Sequence, residues 1–262
     1  MRQYQRALIT GATSGIGAGF AAELPQDTWL LLTGRDEAGL AARADELARP
    51  DRPVGTVAAD LTQADAIEHL VAAAEDFEID LLINNAGSGR LGAVIDNAVE
   101  DELATVQLNV VAVVALTRKL LPGMIERAAK AGRRAGLIIV SSTAAFAPVP
   151  YFATYAASKS FDLHFAEALA EELRGQPVDV LALCPGATRT AFGPRAGYRS
   201  SGLPGAADPR SVARGALSAL GCQTVHVAGG LNQAALAPVV LPRRVATGLI
   251  GRAMRLFVAR GV

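Results

Sequence analysis

Short apolar runs alternate with longer amphipathic stretches along most of this 262-residue chain. Apolar runs bounded by turn residues predict buried strands near residues 5–10, 28–33, 54–59, 80–84, 136–141, 178–183 and 224–228. Helices are predicted between them, near residues 15–24, 37–48, 63–76, 100–130, 152–174 and 209–220. Strands that are apolar throughout are typical of a parallel sheet covered on both faces. The pattern predicts an α/β fold, a doubly wound sheet of about seven parallel strands flanked by helices.

A glycine-rich turn follows the first predicted strand, in the segment Thr10-Gly11-Ala12-Thr13-Ser14-Gly15-Ile16-Gly17. Gly11 permits a tight turn, Gly15 lets the backbone approach a pyrophosphate, and Gly17 lets the next helix pack closely on the strand. Free N–H groups and a partial positive charge at the helix N-terminus attract phosphate oxygens. Strand, turn and helix together predict a Rossmann-type dinucleotide-binding domain.

A second motif places Tyr155 and Lys159 four residues apart within a predicted helix. Residues at this spacing share one helix face, so the phenol and the ammonium can meet. Because a positive charge favours phenolate, we expect the pKa of Tyr155 to lie below the ordinary value of about 10. Ser142 ends an apolar strand thirteen residues before Tyr155, where its hydroxyl would hold a substrate oxygen. These residues indicate acid–base chemistry on an alcohol or a carbonyl.

Composition narrows the expected location of the protein and the partners it is expected to bind. Hydrophobic residues make up 51% of the chain, which allows a full core, and the formal net charge is zero. No membrane-length apolar span or signal peptide is recognised, so we expect a cytoplasmic protein, and we expect no nucleic-acid partner. Cys184 and Cys222 lack metal-ligand spacing and are expected to be small buried residues, with no metal bound. His69, His164 and His226 are expected to be structural.

With these motifs the chain resembles the short-chain dehydrogenase/reductase family, in its short single-domain branch. The resemblance runs from Thr10 to about Thr190 and extends through a last strand to Gly230. The matching motifs are the glycine turn at residues 10–17, Asp60, Asn84-Asn85-Ala86-Gly87, Asn109, Ser142, Tyr155, Lys159, Pro185-Gly186 and Thr190. Several of these motifs follow predicted strands, at the sheet edge where such folds bind ligands.

The resemblance implies a role for each matching residue. Tyr155 would exchange a proton with the substrate oxygen, Lys159 would lower the pKa of the phenol and bind the nicotinamide ribose, and Ser142 would orient the substrate. Asn109 would hold a water that links Lys159 to solvent, whereas the residues alone favour a polar position on an amphipathic helix. The implied cofactor contacts, beside Tyr155 and Lys159, are Gly11, Thr13, Ser14, Gly15, Ile16, Gly17, Asp60, Leu61, Asn85, Ala86, Gly87, Pro185, Gly186, Thr188 and Thr190.

The end of the second strand indicates which nicotinamide cofactor binds. Family members that use NAD carry an acid there for the ribose 2′-hydroxyl, but this chain has Gly34 followed by Arg35. A guanidinium suits a 2′-phosphate, so we predict NADP(H) rather than NAD(H), with Arg35 on the phosphate. Asp36 leaves three alternatives open, because its carboxylate would oppose that phosphate, pair with Arg35, or cap the next helix.

Two segments depart from the common pattern. Residues 191–208 are rich in Gly, Pro, Ser and Arg and stand where the family carries its substrate-covering loop, so a lid or a solvated loop is expected. From residue 209 to the end there are seven Arg and no Asp or Glu. We predict a catalytic domain over residues 1–230 and a basic amphipathic helical extension over 231–262. That extension would pack on its own domain or on a partner subunit, contact an anionic membrane surface, or roof an acyl pocket.

The sequence thus predicts an NADP(H)-dependent oxidoreductase that interconverts a small-molecule secondary alcohol and a ketone or aldehyde, with reduction the expected direction. A homodimer or homotetramer is implied, since the family buries the helices around residues 100–121 and 152–174 between subunits. Two rivals stay open: a non-catalytic NADP-binding regulatory or scaffold protein, and a peripheral membrane reductase acting on lipids. The presence of Asn109, Ser142, Tyr155 and Lys159 favours the enzyme.

Overall fold

One seven-stranded parallel sheet forms the centre of the protein. The computed structural model describes residues 4–198, 205–229 and 243–259. The strands are β1 (Arg6–Thr10), β2 (Trp29–Gly34), β3 (Val54–Ala58), β4 (Leu81–Asn84), β5 (Ala135–Val140), β6 (Val178–Pro185) and β7 (Val225–Ala228). Their order in the sheet is β3-β2-β1-β4-β5-β6-β7. The chain therefore winds outward from β1 on one side and from β4 on the other, and the predicted doubly wound Rossmann-type fold is confirmed.

Nine α-helices are assigned within the described residues. They are α1 (Gly15–Glu23), α2 (Glu37–Leu47), α3 (Ala64–Asp76), α4 (Val99–Val106), α5 (Ala112–Lys130), α6 (Ala153–Glu172), α7 (Phe192–Ala196), α8 (Pro209–Ala219) and α9 (Arg243–Ala259). The helix predicted over 100–130 is continuous but contains a π-helical turn, Gln107–Val111, between α4 and α5.

Apolar side chains of the central strands fill both sides of the sheet. Leu8 pairs with Leu82 of β4, and both belong to the core beneath α3, α5 and α6. The next residue, Ile9, pairs with Ile83 and points into the opposite core beneath α1 and α8. Successive residues of a strand face opposite sides, so a continuous apolar run is what two covered faces require.

The long helix requires one correction to the sequence-based expectations. Residues Val99–Lys130 are long and apolar enough to cross a membrane by length and composition, whereas the sequence was expected to hold no such span. Leu116, Leu120 and Met124 of this helix are buried in the core against the sheet. A helix buried in the core of a globular domain meets the same criterion.

Within the predicted extension over 231–262, residues 243–259 form the basic amphipathic helix α9, while residues 231–242 and 260–262 lie outside the described residues. Helix α9 packs beside the loops that follow α7 and precede α6. Tyr198, after α7, meets Phe257 edge-on with ring centroids 5.9 Å apart. A Cβ on Gly251 would lie 3.2 Å from Pro150, so the helix backbone approaches that loop closely. A groove of about 740 Å³ runs between α9 and the loops at residues 93–94 and 150–151, lined on the helix side by Arg243, Arg244, Thr247, Gly248, Gly251 and Arg255.

Candidate active site

A cavity of about 600 Å³ opens beyond the carboxyl ends of the strands, at the β1–β4 pair where the strand order of the sheet reverses. Open α/β sheets bind their ligands in this crevice. The residues predicted for the site that line it are Gly11, Thr13, Ser14, Gly15, Ile16, Arg35, Asp60, Leu61, Asn85, Ala86, Gly87, Ser142, Tyr155, Lys159, Pro185, Gly186, Thr188 and Thr190. Gly17 and Asn109 do not line the cavity, but each packs against residues that do.

The glycine turn between β1 and α1 has no room for larger residues. Gly11 adopts a φ of +66°, a left-handed conformation that favours glycine. A Cβ on Gly17 would lie 2.3 Å from the Gly11 carbonyl oxygen. The helix therefore starts directly against the turn, and its first N–H groups face the cavity.

Asn85 holds this turn in place, a role that the sequence did not reveal. Its amide Nδ2 donates to the carbonyl oxygen of Thr10 at 2.8 Å and more weakly to that of Gly11 at 3.3 Å. The Thr10 hydroxyl accepts in return from the backbone N–H groups of Asn85 and Ala86, both at 2.9 Å. The end of β4 is thus fastened to the end of β1, and the amide expected at the adenosine half is largely committed to the protein backbone.

The start of α1 leaves polar groups free to meet an anion. Ser14 is the N-cap residue, yet its side chain makes no capping hydrogen bond. With Thr13 it lines the cavity beside the orphan N–H groups of the helix. A helix N-terminus with unsatisfied donors and an uncommitted hydroxyl is suited to a phosphate.

The structure settles the alternatives for Asp36. Its side chain accepts a hydrogen bond from the Gly39 N–H at 3.0 Å and caps α2. Arg35 is exposed, lines the cavity, and forms no ion pair with any residue in the described ranges. A Cβ on Gly34 would meet nothing closer than 3.5 Å, so the space beside Arg35 is open.

Three predicted cofactor contacts satisfy part of their hydrogen bonding locally. Asp60 Oδ1 accepts from the backbone N–H and the hydroxyl of Thr62, at 3.0 and 2.8 Å. The Thr188 hydroxyl donates to the Gly186 carbonyl at 3.0 Å, and Thr190 Oγ1 accepts from the Phe192 N–H at 3.2 Å. These bonds fix the loops after β3 and β6 and leave the Asp60 Oδ2 atom for a ligand.

Ser142, Tyr155 and Lys159 converge at the inner end of the cavity. Ser142 caps the short 3₁₀ helix Thr143–Phe146, accepting from the Ala144 N–H at 3.1 Å, and its nearby hydroxyl acts to lower the pKa of Tyr155. Lys159 is almost fully buried, and its Nζ donates to the carbonyl oxygen of Val140 at 2.9 Å. A strand end and one helix turn thus bring together three residues that are separated along the chain.

The acidity of Tyr155 differs from the expectation. Burial raises the pKa of Tyr155 above its ordinary value, and the opposing effects of Lys159 and Ser142 do not offset this. Lys159 acts in the predicted direction, but desolvation of the phenolate is the larger effect. The prediction of a net lowered pKa was therefore wrong for this arrangement of groups, and the phenol is protonated at neutral pH.

Asn109 sits in the π-helical turn and is fully buried. Its Nδ2 donates to the Ser88 carbonyl and to the Ser158 hydroxyl, both at 2.9 Å, while Oδ1 accepts from the Ser88 N–H at 2.9 Å. A Cβ on Gly87 would lie 3.3 Å from Asn109 Oδ1 and 3.4 Å from Lys159 Nζ, so the two side chains flank the same glycine. The side chain points inward, unlike the solvated helix position that the residues alone favour.

Aromatic rings form the outer wall of the cavity. Phe152 stacks on Tyr155 with centroids 4.4 Å apart, and Phe192 lies 5.2 Å from the Tyr155 ring. Tyr198 packs edge-on against Phe152 at 6.2 Å, and burial raises the pKa of Tyr198 to about 12. Helix α7 therefore carries part of the 191–208 segment over the cavity as an apolar cover, while residues 199–204 of that segment lie outside the described residues.

Of the two cysteines expected to be buried, only one is buried in the structure. Cys184 is buried, and burial raises the pKa of its thiol to about 12. Cys222 is exposed, so its predicted burial was wrong. None of the three histidines lines the cavity. Within the described residues there is no cluster of His, Cys, Asp or Glu that could hold a metal ion.

Comparison with known proteins identifies the family. The family model for short chain dehydrogenases matches residues 5–197. The chain belongs to the short-chain dehydrogenase/reductase family. A relative, 1-deoxy-11-beta-hydroxypentalenate dehydrogenase of Streptomyces avermitilis, is 36% identical over 193 residues, covering 72% of this chain and 70% of the relative.

Solved structures of this family share the fold and include complexes with both nicotinamide cofactors. A short-chain dehydrogenase from Sphingobium yanoikuyae in complex with NADPH has a TM-score of 0.78 at 29% identity, covering 88% of this chain and 91% of that one. A family member from Burkholderia phymatum in complex with NAD has a TM-score of 0.80 at 25% identity, covering 90% of this chain and 93% of that one. This protein is thus an oxidoreductase of a family whose members bind nicotinamide cofactors.

The site fits such a cofactor by its own construction. The cavity is in the usual size range of ligand sites, and it leads from Arg35 past the start of α1 to Tyr155. A Cβ on Gly15 would come within 2.9 Å of Thr190, so no side chain fits at this position. The backbone of the turn is therefore exposed where a pyrophosphate would approach. The Ser14 hydroxyl and the start of α1 line the middle of this path, and the Tyr155 hydroxyl lies at its inner end.

Proposed function

We propose that this protein is an NADP(H)-dependent oxidoreductase that reduces a ketone or aldehyde to the alcohol, in the cytoplasm. The observation that supports this most directly is the convergence of Ser142, Tyr155 and Lys159 at one end of a cavity whose other end presents Arg35. Protein groups in such an enzyme orient and polarise, while a bound nicotinamide supplies the hydride.

Each residue has a defined task in the proposed reaction. Ser142 holds the carbonyl oxygen beside the Tyr155 phenol, since both side chains line the inner end of the cavity. Tyr155 donates its proton to that oxygen as the carbonyl carbon becomes tetrahedral, and in the reverse direction the phenolate takes the proton back. Lys159 stabilises the phenolate by its positive charge and has one N–H left for the ribose, because Val140 and Asp162 occupy the other two.

The walls of the cavity favour a substrate with an apolar skeleton. Phe152, Phe192 and Tyr198 surround the face of the site in front of Tyr155. Leu108 and Ala144 add further apolar surface, and rings of this size bury large areas of a ligand. We propose a secondary alcohol or ketone carried on a hydrocarbon framework, consistent with the hydroxypentalenate in the name of the Streptomyces relative.

Cofactor choice is tested by fluorescence titration with NADPH and NADH. Arg35→Ala is expected to weaken NADPH binding by about 10- to 100-fold, because one charge-assisted hydrogen-bonding group on the 2′-phosphate is lost. NADH binding is expected to change by less than about threefold, since NADH lacks that phosphate.

The matched control for this titration is Arg118→Ala. Arg118 is also exposed but does not line the cavity, so its loss is expected to leave both affinities unchanged. Tighter binding of NADH than NADPH by the unmodified protein, with no effect of Arg35→Ala, would contradict the assignment. Binding of neither cofactor would instead support the rival, a protein that keeps the motifs without the activity.

An exposed apolar stripe on α4 supports the proposed homodimer or homotetramer. Val99, Leu103 and Val106 share one helix face and are 65%, 63% and 39% exposed. Val111, in the π-helical turn, continues the exposed apolar surface toward α5. Apolar side chains clustered in this way mark a surface that another subunit covers.

A membrane contact through α9 is proposed on a different surface. Val245, Leu249 and Leu256 are at least half exposed on one face of α9. Arg244, Arg252 and Arg255 flank this face, and none of them forms an ion pair with a residue in the described ranges. Ile95, on the loop beside the α9 groove, is 93% exposed. An apolar strip bordered by arginines fits an anionic lipid surface.

Vesicle flotation tests this contact. The protein is expected to float with vesicles of phosphatidylcholine and phosphatidylglycerol and to stay in solution with phosphatidylcholine alone. Replacing Arg252 and Arg255 together by Glu is expected to weaken binding by at least about tenfold, since each basic residue near such a surface contributes about 1 kcal/mol. The control pair Arg118→Glu and Arg174→Glu makes the same charge change elsewhere. Equal partition of all three proteins would exclude this role.

A further inference from the structure

A buried carboxylate lies directly beneath the Lys159 ammonium. Asp162 follows Lys159 by one helical turn on α6, and its Oδ2 accepts from Lys159 Nζ at 2.9 Å. The two side chains are 0% and 5% exposed, respectively. The sequence alone gives Asp162 no role, because one Asp on an amphipathic helix is ordinarily solvated.

The surroundings of Asp162 are almost entirely uncharged. Lys159 is its only cationic neighbour in the described ranges; Tyr155 lies on the same helix, and the neutral thiol of Cys184 faces it from β6. Glu167 also acts on that thiol. The second oxygen, Oδ1, is buried without a hydrogen-bond partner. An ion pair this deep contributes little net stability, because desolvation offsets the attraction. Its main consequence is therefore electrostatic and falls on Lys159 and Tyr155.

Two consequences follow for the catalytic groups. Burial would lower the pKa of Lys159, but Asp162 and Tyr155 more than compensate, and the ammonium stays charged. At the phenol the negative charge acts against that of Lys159, and it adds to the burial that raises the pKa of Tyr155. The phenol then remains protonated to a higher pH, which suits a proton donor in carbonyl reduction.

We propose that Asp162 is a positioning residue that acts through Lys159: it anchors the ammonium at the base of the cavity and offsets part of its charge at the Tyr155 hydroxyl. This inference rests on the proposed function only in taking Tyr155 as the acid–base group. It assigns part of the electrostatic control of Tyr155 to a side chain that does not line the cavity.

The test is a spectrophotometric titration of tyrosinate, which requires no substrate. The signal of Tyr155 is isolated by subtracting the titration of a Tyr155→Phe protein from that of its parent. Asp162→Asn keeps the shape of the side chain but removes its charge, and it is expected to move the Tyr155 transition down by about one pH unit. Asp162→Leu is expected to move it in the same direction, and Asp162→Glu to restore the original value.

Asp179 supplies a matched control. It is also buried and accepts from Arg134 Nε at 2.9 Å, but it does not line the cavity. Asp179→Asn therefore loses the ion pair of a buried carboxylate with a partly exposed arginine, and it is expected to leave the Tyr155 transition unchanged. If Asp162→Asn lowers thermal stability, Asp179→Asn shows whether that loss alone moves the transition.

The outcomes separate this inference from the proposed function. An unchanged or raised Tyr155 transition in folded Asp162→Asn and Asp162→Leu proteins would overturn the role of Asp162, whatever the enzyme catalyses. A downward shift together with unimpaired turnover by Tyr155→Phe would instead retain the electrostatic coupling and overturn the catalytic assignment. A downward shift with loss of turnover in Tyr155→Phe supports both.

Discussion

Replacing Tyr155 by Phe is expected to lower kcat/KM for carbonyl reduction by about 10²- to 10⁴-fold, the usual contribution of a positioned proton donor. The ring stays in place because Phe152 and Phe192 pack against it, so only the hydroxyl is lost. NADPH affinity is expected to change by less than about threefold, since the principal contacts predicted for the cofactor lie elsewhere in the cavity. The measurement is steady-state kinetics with NADPH and a panel of apolar ketones, paired with a fluorescence titration of NADPH.

Tyr198→Phe is the control for this comparison. Tyr198 lines the same cavity and its phenol is also buried, but Ser142 and Lys159 act on Tyr155 instead. Its loss is expected to change kcat/KM by less than about tenfold, mainly through KM. Comparable turnover by Tyr155→Phe and the unmodified enzyme would show that another group delivers the proton. If neither protein turned over any ketone, the result would support the rival hypothesis of a non-catalytic NADP-binding protein.

Replacing Gly17 by Ala is expected to abolish tight NADPH binding and to lower the free energy of unfolding by about 1–3 kcal/mol, the usual cost of overpacking. The new Cβ would lie 2.3 Å from the Gly11 carbonyl oxygen and 2.6 Å from Asn85 Nδ2. Helix α1 must then move away from β1, and the glycine turn proposed to hold the phosphates opens. Thermal unfolding and NADPH titration on the same samples measure the two effects.

Gly248→Ala is the matched control, since Gly248 is also a helical glycine. A Cβ there would meet no atom within 4 Å, so the substitution is expected to stabilise α9 by about 0.5–1 kcal/mol without altering cofactor affinity. Normal NADPH binding by Gly17→Ala would mean that the start of α1 does not have to sit against the turn, and the assignment of this turn to the phosphates would be lost.

Hydrogen bonds between neighbouring elements hold the cavity in its shape before any ligand binds. Asn85 fastens β4 to the turn after β1, and Ser141 Oγ donates to the Lys159 carbonyl at 2.6 Å, which fastens β5 to α6. These bonds cross the switch point of the sheet and connect the glycine turn and helix α6 to the neighbouring strands, the parts proposed to hold the phosphates and the acid–base groups. We infer that substitutions at Asn85 alter cofactor affinity through the turn even without direct contact to the ligand.

Much of this architecture is determined by the sequence alone. Continuous apolar strands alternating with helices require both faces of a parallel sheet to be covered, which fixed the fold class and placed the strands within a few residues. The glycine spacing after β1 and the spacing between Tyr155 and Lys159 are local, so turn geometry and helix period predict where these residues lie relative to one another. The cavity accordingly collects nearly every residue predicted for it.

Only the tertiary structure decided how charge and burial combine at the site. The π-helical turn that points Asn109 inward has no local signal, and the burial of Asp162 depends on contacts between α6, β5 and β6 that are distant in sequence. The net pKa of Tyr155 likewise reverses the sequence expectation, because desolvation is set by the surrounding rings and strands rather than by the neighbouring lysine. Periodicity and motif spacing report local geometry, whereas the electrostatic balance of a buried site sums over groups that meet only after folding.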